Sequence, residues 1–400
     1  MSDRAPRVLF VQYAHPGGYP PVLNASRILQ SSGWSVSMLG IQLPSQTGFD
    51  VPSDSARSVV LVRAPAPRYL LRFFFGWFCW RVRRMIQSFR PDWLYVSDPM
   101  ACVAAIKGLG AAPKCHVLYH EHDLMDLGTQ PGKGSWKQRL ITNDRRELAS
   151  RAEICVVPNR NRAITLQQQT GRRGQVDVVW NCPSRNELDC VVGTADYRTN
   201  ADQPFHVIYC GSLNEVRVPF TYIDALTSEP RARLTLIGYE TNGSLGFSEK
   251  IRRYASERHV ADRLTLGDPV SRAGVFLALQ RAHVAIATVP LRSDDGNMSG
   301  MLGASNKSFD GLCVGIPVLV SDLPDWRAEF VDRGVALACD PGDPRSIANA
   351  WRRLADQPDQ TRAMGERGRA LIASEWNYES QFRSVLESMN GTKLSPNVGL

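Results

Sequence analysis

GASNKSFDGLCVGIPVLVSD, residues 303–322, decides the reading of the whole chain. Lys307 and Asp310 stand three residues apart, ahead of an apolar run that enters a core. A helix N-terminus offers unpaired N–H groups and the positive end of a dipole, which together suit an anion. Upstream lie a strand-like run, VAIATVPL, and the loop RSDDGNMSGMLGASN. Gly296, Gly300 and Gly303 let that loop bring its backbone close to a phosphate. Lys307 adds a point charge. Asp310, one turn further on, can accept two hydrogen bonds from a vicinal diol such as a ribose. Gly315-Ile316-Pro317 stops the helix and opens the next strand. The competing reading is a capped helix in which Asp310 only complements the dipole, worth about 0.3–1 kcal/mol.

Outward from this stretch, apolar runs alternate with helical patterns. Strands are expected at 7–13, 91–98, 114–123, 152–159 and 176–181, with WSVSMLG another, and helices at about 22–32, 99–110 and 161–171. The segment 183–204 is polar and weakly periodic and reads as a linker. The alternation then restarts, with strands at 205–212, 233–240, 283–291, 316–322 and 334–340 and one in DRLTLGDPV. The expected fold class is therefore α/β, with two doubly wound Rossmann-like domains facing across a cleft. The expected bounds are 1–183 for an N-terminal domain, 184–204 for the linker, 205–374 for a second domain, and 375–400 for a helix returning to the first domain, with a tail. Ligands in such sheets bind beyond the carboxyl ends of the strands.

The totals set limits. The chain has 400 residues, 43% hydrophobic and 22% charged, which suits two globular domains. Nine scattered cysteines with no C-x-x-C read as reduced, buried thiols, not a disulfide frame or a zinc site. The opening MSDRAPRVLFVQY lacks a signal-peptide profile, and no apolar run reaches about 18 residues. A cytoplasmic protein is expected. The net charge is +8, and from Arg57 to Arg90 there are eight arginines and no acid. No zinc-finger or RNP-like signature accompanies them, so nucleic acid is not an expected partner.

Asn306-Lys307-x-Phe309-Asp310, then Gly315-x-Pro317, resembles the nucleotide-sugar motif of the group 1 family of retaining glycosyltransferases, which have the GT-B fold. In that motif the acid five residues before the glycine binds ribose, and here it is Asp310. The family's other acid would fall at Leu302. Tyr209-Cys210-Gly211-Ser212, followed by Arg217, resembles the family's loop opening the second domain, where a basic residue contacts the diphosphate. The arginine often found after the glycine is Ser212 here. Tyr119-His120-Glu121-His122-Asp123 resembles the family's first-domain strand end and implies His122 near the transferred sugar. A metal site, a structural histidine, and His120 in its place are the competing readings. Val179-Trp180-Asn181-Cys182-Pro183 resembles the family's N-x-P end of the first domain.

The resemblance implies catalytic roles for His122, Arg217 and Lys307. It implies nucleotide-sugar contacts from Gly17, Gly18, Gly211, Ser212, Pro269, Val270, Gly303, Ala304, Ser305, Asn306 and Asp310. It implies no cofactor and no metal, with a UDP-, GDP- or similar nucleotide sugar as donor and a sugar, lipid-linked or other hydroxyl as acceptor. Retention, and a place in glycan, polysaccharide or glycolipid biosynthesis, are also implied. The alternatives are a nucleotide-sugar epimerase of the same fold and a non-catalytic membrane-surface module. An NAD-dependent dehydrogenase is disfavoured because HPGGYPP lacks G-x-G-x-x-G.

RYLLRFFFGWFCWRVRRMIQSFR, residues 68–90, is expected to form a helix with two apolar sides. Leu71, Phe74, Phe75, Phe78, Val82, Met85, Ile86 and Phe89 make the packing stripe. Leu70, Phe73, Trp77 and Trp80 make a second patch near Arg84, with Arg81 and Arg83 at its margins. Phe73, Trp77, Trp80, Arg81 and Arg84 are the expected contacts with an anionic membrane surface, placing the protein peripherally on the inner face of the cell membrane. Burial on both sides, under a loop or in a dimer, is the other reading.

Overall fold

The computed structural model describes residues 4–43, 50–65, 71–124, 136–190, 204–241 and 243–392. The chain divides into two compact units, one of 1–180 with 378–400 and one of 181–377.

The first unit is a seven-stranded parallel sheet. Its strands are β1 (Arg7–Gln12), β2 (Ser35–Gln42), β3 (Ser58–Arg63), β4 (Trp93–Ser97), β5 (His116–His120), β6 (Ile154–Val157) and β7 (Val176–Val178). Their order is β3-β2-β1-β4-β5-β6-β7, so the order reverses between β1 and β4. Parallel strands are covered on both faces, which is why they read as near-continuous apolar runs. Alternate residues divide between two cores. Leu9, Val11 and Leu39 face one core with Phe78 and Val82; Val8, Phe10 and Met38 face the other. The helix Tyr378–Gly391 closes the second face with Tyr378, Phe382, Val385 and Met389, a helical spacing. The Trp34 indole donates to Asn390 Oδ1 at 3.2 Å and pins that helix.

The second unit is a six-stranded parallel sheet of β8 (Phe205–Leu213), β9 (Ala232–Glu240), β10 (Leu264–Gly267), β11 (Val284–Ile286), β12 (Val318–Ser321) and β13 (Ala336–Cys339). The order is β10-β9-β8-β11-β12-β13, reversing between β8 and β11. The helix Asn306–Cys313 follows β11 and sinks Phe309, Leu312 and Cys313 completely. Phe309 meets Phe330 and Trp376 at ring distances of 5.8 and 5.9 Å.

Several expectations change. The supposed linker 184–204 begins with a helix, Arg185–Cys190, in the second unit; residues 191–203 lie outside the described residues. Strand β3 was not foreseen. It is an edge strand with the pattern exposed, exposed, half-buried, half-buried, buried, exposed, so little of it carries a strand-like alternation. The helices Trp136–Arg151 and Arg272–Leu279 were also missed. The first is dominated by charge, and its few buried apolar residues include Ile141, Leu148 and Ala149.

Candidate functional site

The topology of the second unit brings its chemistry together. The loops after β8 and β11 leave from either side of the point where strand order reverses, the place where open α/β sheets bind ligands. Arg217 follows β8 and Lys307 follows β11. A turn sets Arg217: its amide donates to Asn214 Oδ1 at 2.9 Å, and the Val218 amide donates to Asn214 O at 2.9 Å. The Lys307 ammonium stands 5.5 Å from the Tyr209 ring centroid. Gly211 makes room for it. Its φ is +148°, and a Cβ there would lie 2.5 Å from Lys307 Cε. Gly238, opposite on β9, is equally constrained, since its Cβ would fall 1.7 Å from the Gly211 carbonyl oxygen.

Lys307 and Arg217 are half-buried, and among the described residues neither has a carboxylate partner. Burial, reinforced by the charge of Arg217, pulls the Lys307 ammonium down to about 8. Asp310 only partly offsets that lowering, and two such neighbouring cations, in no salt bridge among the described residues, form a site for an anion.

Asp310 lies one turn beyond Lys307 and is buried. Both its oxygens accept from Arg272, at 2.6 and 2.8 Å, and Arg272 Nε donates to Glu187 at 2.7 Å. Burial pushes the Asp310 carboxyl up, and Arg272 opposes that shift. A bidentate guanidinium fixes the carboxylate plane and leaves each oxygen a further lone pair. Ser212, Pro269 and Val270 sit at strand ends of this unit. The Ser212 carbonyl accepts from Tyr209 Oη at 2.8 Å, and Pro269 and Val270 are exposed.

The backbone at 303–306 is less open than the sequence suggests. The Ala304 and Ser305 amides both donate to Met301 O, at 3.0 and 3.2 Å. The Gly303 and Ala304 carbonyls accept from the Asn181 amide and side chain, at 2.7 and 2.8 Å. The amides of Asn306 and Lys307, at the start of the helix, are the donors left for an anion.

In the first unit, β5 stops at His120, so His122 lies beyond the ladder and not on the strand. His120 is fully buried and bonded through Nδ1 to Tyr95. His122 bonds through Nε2 to Ser97 Oγ at 2.8 Å and keeps a buried Nδ1 without a partner. Burial, with Arg162 nearby, takes His122 down to about 3, so it is neutral at ordinary pH. Its amide donates to Asp98 Oδ1 at 3.2 Å, and its ring lies 5.5 Å from that of Tyr19. Tyr19 directly follows Gly17 and Gly18, whose short helical turn is tied by the Gly17 amide to His15 Nδ1 at 3.1 Å. Glu121 points away from both histidines and is locked by Arg145 at 2.6 and 2.8 Å, both side chains buried. Among the described residues no group of three or more His, Cys, Asp or Glu could hold a metal ion.

Two family models match in sequence order. One described as "Glycosyl transferase 4-like domain" covers residues 17–182, and one described as "Glycosyl transferase-like" covers 221–387. The chain belongs to the group 1 glycosyltransferases. No curated protein matches it. Solved structures share the fold at low identity. Sucrose-phosphate synthase from Thermosynechococcus elongatus is 17% identical over 96% of this chain and 98% of its own, with a TM-score of 0.72. HepE of Anabaena, solved with UDP-glucose, is 15% identical over 96% and 100%, with a TM-score of 0.69. A glycosyltransferase from Rickettsia africae is 9% identical over 98% and 100%, with a TM-score of 0.71.

In this glycosyltransferase the structure gathers Gly211, Arg217, Lys307 and Asp310 in one unit, and Gly17, Gly18 and His122 in the other. Arg272, Glu187 and Gly238 were missed. Arg272 sits in a short helix with no local signature, Glu187 in an expected linker, and Gly238 looked like an ordinary strand glycine. The arginine–aromatic helix begins, in the described residues, at Leu71 and ends at Phe89. Its packing stripe is buried at Phe74, Phe78, Val82 and Ile86. Phe73, Trp77 and Trp80 are 64%, 46% and 50% exposed, as the second patch requires. Arg68 and Leu70, and the side chain of Leu71, fall outside what is described.

Proposed function

We propose that this glycosyltransferase moves a hexosyl group from a nucleoside diphosphate sugar to an acceptor hydroxyl, with retention and without a metal. The observation that carries the reading is Arg217 and Lys307 at the sheet's switch point, neither of them in a salt bridge among the described residues. HepE, which shares the fold, binds UDP-glucose, a donor of that class. The bond from the sugar's anomeric carbon to the diphosphate breaks, and its electron pair leaves with the phosphate. Fixed cations stabilise that developing charge without reorganising. The acceptor oxygen takes the vacated carbon, and its proton passes to a donor phosphate oxygen. His122, being neutral, serves as a hydrogen-bonding group to a sugar hydroxyl and not as an acid. Asp310, steadied by Arg272, takes the ribose diol.

The test is a donor screen scored by nucleoside diphosphate release. Release is expected with one nucleotide sugar and an acceptor, and undiminished in EDTA. Activity lost in chelator and restored by magnesium or manganese would remove the metal-independent reading.

The exposed Phe73, Trp77 and Trp80, with Arg81 and Arg84 beside them, support action at an anionic membrane surface on a glycan or glycolipid acceptor. Aromatic tips suit the headgroup region, and each nearby cation adds about 1 kcal/mol. Among the described residues no helix is long and apolar enough to cross a membrane, so attachment is peripheral in this reading.

A further inference from the structure

A groove of about 720 Å³ runs between the second half of the helix Leu71–Phe89 and strands β2 and β3. Its origin is legible in the register. Ser37 pairs with Ser58 and Leu39 with Val60. On this face Leu39, Ile41 and Val62 are packed under the helix, but the next positions down are two serines. Their hydroxyls bond each other at 2.8 Å, so no apolar side chain fills the space beneath the last turns of the helix. Val60, Met85 and Phe89 give the groove apolar lining, and Arg81 and Arg84 stand on its helical wall.

The arginines are charged and unneutralised. No acid occurs between residues 57 and 90, and among the described residues neither guanidinium has a carboxylate partner. Each lies over a tryptophan, Arg81 over Trp77 at 6.0 Å and Arg84 over Trp80 at 5.8 Å. The cationic rim is thus continuous with the exposed aromatic patch. The groove opens near the amino ends of β2 and β3, since Ser58 is the first residue of β3. Donor chemistry in such sheets belongs to the carboxyl ends, so this is a separate site.

We propose that the groove holds a single anionic phospholipid, its phosphate on Arg81 and Arg84 and an acyl chain along Val60, Met85 and Phe89. A guanidinium pair beside Val60, Met85 and Phe89, in a groove that Gln87 and Ser88 also line, is complementary to an amphiphile with a negative head. The inference rests on the membrane-surface reading and adds to it a one-to-one site, which surface adsorption alone does not require.

The experiment is calorimetric titration with dihexanoyl phosphatidylglycerol below its micelle concentration, paired with sedimentation of the protein with phosphatidylglycerol vesicles. One saturable site is expected, with dihexanoyl phosphatidylcholine and inorganic phosphate each binding about tenfold more weakly or worse. Arg81→Gln/Arg84→Gln should lower lipid affinity about tenfold or more. Ser58→Trp should fill the trough and abolish the titration while vesicle sedimentation, carried by Trp77 and Trp80, persists. Thermal melts check that both variants fold, and the arginine pair is exposed enough to stand alone if Ser58→Trp does not. Sedimentation without a one-to-one titration, or a titration that both variants leave unchanged, overturns the groove and leaves the membrane reading standing. Titration without sedimentation overturns the membrane reading instead. Phosphate binding as tightly as the lipid makes the site an anion site only and overturns the acyl trough.

Discussion

The two units present opposite electrostatics beyond the carboxyl ends of their strands. Past β5, Glu121 is buried and fully answered by Arg145 and Tyr119. Past β8 and β11, Arg217 and Lys307 are half-buried and, among the described residues, in no salt bridge. A compensated buried pair belongs to the architecture, because removing one partner strands the other in low dielectric. An uncompensated pair of cations destabilises the empty protein and is relieved only by an anion that arrives. In the proposed reading charged side chains serve folding in one unit and binding in the other, and substitution separates the two.

The largest expected effect is on stability in the first unit. Arg145→Ala should destabilise it by about 3–5 kcal/mol, because the buried Glu121 carboxylate is left with no cation and only the Tyr119 hydroxyl. Chemical denaturation measures this, and a loss under about 1 kcal/mol would erase the contrast. In the second unit, Lys307→Ala should lower turnover by about 10²–10³-fold, the usual cost of removing a donor to developing charge. Its melting temperature should hold or rise, since a cation facing Arg217 is removed. A variant that unfolds at the same cost as Arg145→Ala would make Lys307 structural.

Asp310→Ala should weaken nucleoside diphosphate binding by about 1.5–3 kcal/mol, the range for a hydrogen bond to a charged group. Arg272 keeps Glu187 at 2.7 Å, so the fold should tolerate the change. Unchanged nucleotide affinity in the folded variant would end the ribose assignment.

The smallest expected effect is with pH. The Lys307 ammonium is charged below about 8 and neutral above it. Diphosphate affinity of the free enzyme should therefore fall as pH rises through 8, by no more than about tenfold per unit for one proton. Lys307→Arg keeps its charge throughout and should remove the inflection. An inflection that survives in Lys307→Arg assigns the titration to another group.

Much of this was readable along the chain. The buried parallel strands announce themselves as apolar runs because helices cover both faces of each sheet. The helix start at Asn306-Lys307 and the acid at 310 share one local segment, so spacing alone could propose an anion and a diol. The two-sided helix at 71–89 was legible for the same reason, since 100° per residue sorts Phe78 and Val82 from Trp77 and Trp80.

What the sequence determined by itself was set by neighbours in the chain: the strand runs, the two doubly wound halves, the loop–helix motif and the amphipathic stripe. Only the tertiary structure decided that Arg272 grips Asp310, that Glu187 closes that cluster, and that Gly238 must be bare to pass Gly211. The partners there are 38, 85 and 27 residues apart or on different strands. No propensity or period connects such positions; crossover connections and sheet register bring them together. The same holds for Glu121, whose acid is harmless only because a helix missed in the sequence delivers Arg145 to it. Charge is written residue by residue, but whether a charge is compensated depends on what the fold places beside it.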